Sequence, residues 1–107
     1  MQVQLQVLAR KSESLRRRIT QDLERQEYYD LYVERFKDPK RNPGWAKIKS
    51  RHVPGVINME WDGSLRMLVV RAIAKHGNTP HQLLGTFVGF LIDRYGRRIS
   101  SINIQMT

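Results

Sequence analysis

The sequence predicts an α+β fold: a two-layer sandwich with its helices on one face of a mostly antiparallel sheet. Three observations carry that reading. Both ends of the chain alternate apolar and polar residues at period two, as half-buried strands do. Two internal stretches repeat apolar residues at helical spacing. Between them, short branched runs are separated by Pro, Gly, Asn and Asp, the residues that make turns.

Residues 1–8 set Met1, Val3, Leu5 and Val7 against Gln2, Gln4 and Gln6, which reads as a strand. A rival reading extends the next helix backwards through Leu5, Leu8, Ser12, Leu15 and Ile19; the alternation favours the strand. One long helix is expected from Ser12 to Lys37. Leu15, Ile19 and Leu23 begin its stripe, which Tyr28, Leu31, Tyr32 and Phe36 continue with some drift. Glu13 and Arg17 stand in the favourable acid-first i,i+4 order. Asp38-Pro39 and Asn42-Pro43-Gly44 end the helix.

Strands are expected over Trp45 to His52, Val56 to Trp61 and Leu65 to Ala74, with Pro54-Gly55 interrupting the first two. Asp62-Gly63 predicts a tight hairpin in which Gly takes a positive φ. The second helix is the best marked. Thr79 is placed as its N-cap and Pro80 at its first position. Leu83, Leu84, Phe87, Val88, Leu91, Ile92 and Tyr95 form its apolar face, and Gly96 stands where a left-handed cap is expected. A last strand runs from Ile99 to Met106. The resulting order is β-α-β-β-α-β, or the same with one extra strand where Pro54-Gly55 splits the middle region, a single compact domain over residues 1–107 of the ferredoxin-like kind or related to it.

The 107 residues suffice for one modest core without staples. The sequence has no cysteine, which excludes disulfides, zinc–thiolate sites and thiol catalysis. Its longest apolar-rich run, Leu83 to Ile92, is half the roughly 20 residues a membrane-spanning helix needs. The start shows no basic segment followed by an apolar one, so no signal peptide is expected, and a cytoplasmic location is the default.

Charge is the main functional pointer. Nineteen Lys and Arg against ten Asp and Glu give +9. A field of that sign attracts polyanions. Residues 1–53 hold an excess of six positive charges and residues 54–107 an excess of three, which directs the search for an anionic partner to the first half.

Within that half, Trp45-Ala46-Lys47-Ile48-Lys49-Ser50-Arg51 is the sharpest candidate. On a strand, Trp45, Lys47, Lys49 and Arg51 share one face, the cations at roughly 7 Å intervals that can track phosphates. Trp45 can stack on a base. Lys40 and Arg41, just upstream, extend the patch. The competing reading is an edge strand whose lysines prevent sheet-to-sheet aggregation. Arg16, Arg17 and Arg18 form a second basic cluster, but three consecutive residues fan over about 200° of helix surface. They also alternate with acids further along, the usual look of a solvated helix. Gly85 and Gly89 leave a smooth helix face, explained either by close approach to the sheet or by a subunit contact.

No catalytic or cofactor motif is complete, and no cofactor or metal is expected. His52, His76 and His81 lack ligand spacing; Glu60 and Asp62 share one side of a strand and could chelate a cation, but Asp62 is better explained by its turn; and Gly77-Asn78-Thr79 is too short for a phosphate cradle. The leading expectation is a non-enzymatic nucleic-acid-binding module, for DNA or RNA, using Lys/Arg contacts to phosphates and Trp stacking. The alternatives are an interaction or oligomerisation domain that docks on an acidic protein surface or forms a homo-oligomer, and a small metal-independent ribonuclease built on His52, Arg51 and Lys49.

Overall fold

Period-two alternation produces the strands it predicts at both ends of the chain. The computed structural model of the protein describes residues 2–34, 45–75 and 80–106, with only the backbone of Trp45. The first strand, β1 (Gln2–Ala9), buries Val3, Leu5 and Val7 and leaves its glutamines half-buried on the other side. This decides the strand-or-helix alternative in favour of the strand. The last strand, β6 (Ile99–Met106), pairs antiparallel with β1 and matches the expected range.

The long first helix is corrected. Helix α1 spans Leu15–Arg25, buries Leu15, Ile19 and Leu23, and stops where Gln26 turns extended. Ser14 caps its start, accepting from the Arg17 amide at 3.2 Å. Beyond it, Tyr28 bridges to Leu31, Tyr29 adopts φ 52°, and strand β2 runs over Leu31–Glu34. The drifting stripe conceals a second period: Leu31 and Val33 point into the core while Tyr32 and Glu34 point out, in a run of residue types that suit strands. Pairing with β3 (Trp45–Ser50), from Leu31 opposite Ser50 to Glu34 opposite Lys47, outweighs helix continuation. Glu13 lies before the helix and pairs with Arg18 and Arg98, not with Arg17. The expected breakers Asp38-Pro39 and Asn42-Pro43-Gly44 fall outside the described residues.

Strands β4 (Val56–Asp62) and β5 (Met67–Ile73) form a hairpin in the expected place, with a different turn. Four residues connect the strands, and the positive φ falls on Arg66 (51°) instead of Gly63. Asp62 organises the turn, its Oδ1 accepting from the amides of Ser64 and Leu65 at 3.0 and 3.2 Å and from the Ser64 hydroxyl at 2.7 Å. These bonds hold its carboxyl below the usual range.

The glycine that the fold requires is Gly55. Its φ is 120°, and an added Cβ would sit 3.0 Å from the Ile73 carbonyl oxygen and 3.1 Å from Leu83 Cδ2. Gly55→Ala is therefore expected to lose about 1–3 kcal/mol, read from the urea midpoint, because strain and the Ile73 clash act together. A midpoint equal to the wild type would contradict this backbone geometry.

Helix α2 (His81–Tyr95) begins after Pro80, which occupies the cap position without a side-chain bond; Thr79 falls outside the described residues. Its buried side is Leu83, Leu84, Phe87, Phe90, Leu91 and Tyr95. Ile92, expected in that face, is 60 % exposed, and Phe90 takes a place inside against Tyr28, Phe87 and Tyr95. Gly96 is not a left-handed cap. It keeps φ −54° and leads into a 3-10 turn, Gly96–Arg98.

The observed order is thus β-α-β-β-β-β-α-β: the middle region is split at Pro54-Gly55 into an extra strand, and β2 is one strand more than the sequence indicated. The six strands form one sheet in the order β2-β3-β4-β5-β1-β6, every neighbouring pair antiparallel. Inward residues of all six strands join those of both helices in one core cluster, so both helices cover the same face. This is the expected α+β two-layer arrangement. Among the described residues, no helix is long and apolar enough to cross a membrane.

One bond ties the two helices together. The buried Tyr95 hydroxyl donates to Asp22 Oδ2 at 2.6 Å. Burial first, then this bond, push the phenol far above its ordinary value of 10. Because the folded pKa exceeds the unfolded one, the bond's contribution is complete below about pH 10 and is lost as pH rises further. Tyr95→Phe should cost about 1.5 kcal/mol at neutral pH and flatten the alkaline fall in stability. Urea titrations at neutral and alkaline pH test both effects, and an unchanged alkaline slope in the variant would refute the assignment.

Candidate functional site

Because both helices sit on one side, the other face of the sheet is left without a covering layer among the described residues. The strand registers define what that face carries. One row runs across it through Glu34, Lys47, Asn58, Arg71, Gln4 and Gln105. The next row holds Glu60, Val69, Gln6 and Asn103, with the Trp45 backbone opposite Glu60. Cations occur on β3 and β5, with Asn58 of β4 between them and the amides of Gln4, Gln6, Asn103 and Gln105 beyond β5 on β1 and β6. The same face also carries Leu8, Tyr32, Val56, Met67, Val69 and Ile73, so its donors stand among half-buried apolar side chains.

Lys47 and Lys49 lie together on this face, opposite the buried Ala46 and Ile48. Their Nζ atoms stand 3.8 and 3.6 Å from the two carboxylate oxygens of Glu34. Arg51 follows the end of β3. Its guanidinium engages Glu27 through two bonds of 2.5 and 3.2 Å and lies 4.6 Å over the Tyr32 ring. That fork raises the Arg51 pKa and lowers that of Glu27. Lys47 and Lys49 thus share the open face, while Arg51 lies past the end of β3 against Glu27, and each of the three has an acidic neighbour. The Arg51–Glu27 pair is the more exposed; Glu34, Lys47 and Lys49 are half-buried, and Glu34 Oε2 is enclosed without a hydrogen bond among the described residues.

Arg16, Arg17 and Arg18 belong to α1 and lie in the helical layer, on the opposite side of the sheet from Lys47 and Lys49. Arg18 is engaged by Glu13 and Asp22 at 3.5 and 3.8 Å. The structure does not bring the two basic clusters together. Lys40 and Arg41, and the side chain of Trp45, lie outside the described residues.

Sequence reasoning missed Arg71. It is exposed in the middle of β5, paired on either side with Asn58 and Gln4. A signal was present: an arginine inside the branched stretch MLVVRAI, where a strand buried on both faces would hold none.

Asp30, Ser50 and His52 resemble a nucleophile with its acid and base, but their bonds are those of a loop clamp. The Ser50 hydroxyl donates to Asp30 Oδ2 and accepts from the amides of His52 and Val53, each at 3.2 Å. The bond from Ser50 is also the main reason the Asp30 carboxyl sits below its usual range. A shallow cleft of about 620 Å³ opens beside them, lined by Tyr28, Tyr29, Thr86 and Gly89. A Cβ at Gly85 or Gly89 would meet nothing within 4 Å. These glycines therefore do not serve close packing on the sheet, one of the two explanations offered by the sequence. No group of three His, Asp or Glu among the described residues can hold a metal ion.

Fold and surface together define a class: an α+β two-layer protein with an open, cation- and amide-bearing sheet face. The chain matches no protein-family model, no curated protein and no solved structure.

Proposed function

We propose that the protein is a non-enzymatic nucleic-acid-binding module that lays a single strand across the open face of its sheet. The observation that carries this reading is the composition of that face: Lys47, Lys49 and Arg71 with Gln4, Gln6, Asn58, Asn103 and Gln105 on a chain of net charge +9. Cations supply the salt-dependent attraction to phosphates, and amides can bond exposed base edges. A broad sheet face suits a single strand, whose bases can splay onto it, better than a duplex, whose major groove admits a helix or a two-stranded ribbon. We read β1, α1, β4, β5, α2 and β6 as a ferredoxin-like frame, with β2 and β3 inserted after α1 to widen the binding surface.

Glu34 is the internal competitor for Lys47 and Lys49. Glu34→Gln removes that anion and should tighten binding about two- to five-fold, the equivalent of one partly exposed pair. Mobility shift on single- and double-stranded DNA and RNA across salt concentrations tests both the function and this step. Retardation of no polymer at low salt would refute the function. Tighter binding of duplex than of single strands would refute the mode.

A further inference from the structure

The two edges of the sheet are built differently. At one end, β2 is 4 residues long and carries Glu34. At the other, β6 is 8 residues long, ISSINIQM, without a charge, a proline or a glycine. Only one side of β6 is paired, with β1; no strand among the described residues occupies the other. Proteins usually blunt such an edge with lysine, proline or shortness, because its unpaired amides and carbonyls template another strand. On a chain of net charge +9, a neutral edge is a conspicuous omission.

The apolar face also runs past its cover there. Ile104 and Met106 stand opposite Leu5 and Val3, which are buried at 0 % and 7 %, yet they are 53 % and 84 % exposed. They are on the core side of the sheet, and no element among the described residues covers them.

We infer that β6 is a homodimerisation edge, pairing antiparallel with β6 of a second copy about a two-fold axis at Asn103. Three features select a second copy as the occupant. The strand offers no cation to an acidic protein or to a nucleic acid. Two neutral edges meet without repulsion, while the charged surface of each copy stays outside the contact. Finally, the sequence is self-complementary in this register. Antiparallel partners share a face, so a two-fold axis must pass through a residue. With Asn103 on the axis, Ile102 faces Ile104 twice on the helical side and Ser101 faces Gln105 twice on the open side. The result is one continuous twelve-stranded sheet whose two open faces lie on the same side.

The inference stands apart from nucleic-acid binding and is tested without it. Sedimentation of the purified protein should show a dimer, and Ile104→Lys should leave a folded monomer with its dissociation constant raised at least about a hundred-fold. Circular dichroism checks that the variant folds. The register has its own readout, since the natural sequence contains no thiol. Asn103→Cys places two cysteines about 4.5–5.5 Å apart between Cα atoms, within disulfide reach, so it should cross-link on oxidation. Ser101→Cys alone sets them about 13 Å apart along the strands and should not; mixed with Gln105→Cys, it should. A wild type that remains monomeric at millimolar concentration overturns the proposal. So does a dimer indifferent to Ile104→Lys, or cross-linking that does not peak at 103.

Discussion

Replacing Lys47, Lys49 and Arg71 together by glutamine is expected to lower the salt dependence of single-strand binding by about 2 in the slope of log affinity against log salt. Each phosphate contact on a single strand contributes roughly 0.7 to that slope, and three cations on one face can make three. Over a fourfold rise in salt, the wild type would lose about twenty-fold more affinity than the variant by the same relation. Glutamine keeps hydrogen-bonding capacity, and all three side chains lie on the open face, so the urea midpoint should move little. Arg16, Arg17 and Arg18 provide the control. Their substitution alters net charge equally on the other side of the sheet, and it should weaken binding less. If the helical triple variant has the larger effect, the open face is not the site. If neither triple changes the slope, phosphates are not being neutralised by these residues.

Phe87→Ala is expected to produce the largest loss of stability, about 3–5 kcal/mol, measured as a fall in the urea midpoint with an unchanged denaturant slope. Phe87 is fully buried at the centre of α2's inward face and packs 6.1 Å from the Phe90 ring. Removing the ring forfeits its transfer free energy and leaves a cavity that a helix fixed by Leu83, Leu84 and Leu91 cannot collapse into. The same substitution at Ile92, which the sequence placed in the same stripe, should cost less than about 1 kcal/mol because most of that side chain already meets water. Equal losses at the two positions would mean that α2 is rotated from the orientation described.

The sequence by itself determined the layers. Alternation in β1 and β6 and the branched run of β5 favoured strands with one buried face, since period two puts every second side chain on the same side; for β1 the structure settled the choice against a helix. Leu15, Ile19 and Leu23, and the face of α2, likewise favoured helices. The shared face of Lys47 and Lys49 followed from the same arithmetic; Arg51, past the end of β3, turns to Glu27 instead. What the sequence left open were features set by partners distant along the chain. Leu31–Glu34 satisfies a helical stripe and a strand equally well, and only its ladder with β3 decides between them. Gly63 permits a tight turn, but the bonds of Asp62 to Ser64 and Leu65 select a longer one and move the positive φ to Arg66. Ile92 and Phe90 exchange roles because Tyr28 and Tyr95 supply an aromatic nest for the phenylalanine. Arg71 joins the lysines, and the α1 arginines do not, because strand order and the choice of covered face belong to the assembled sheet. A local pattern fixes which side of an element is apolar; long-range pairing, formed once for the whole molecule, fixes what that side and its reverse confront.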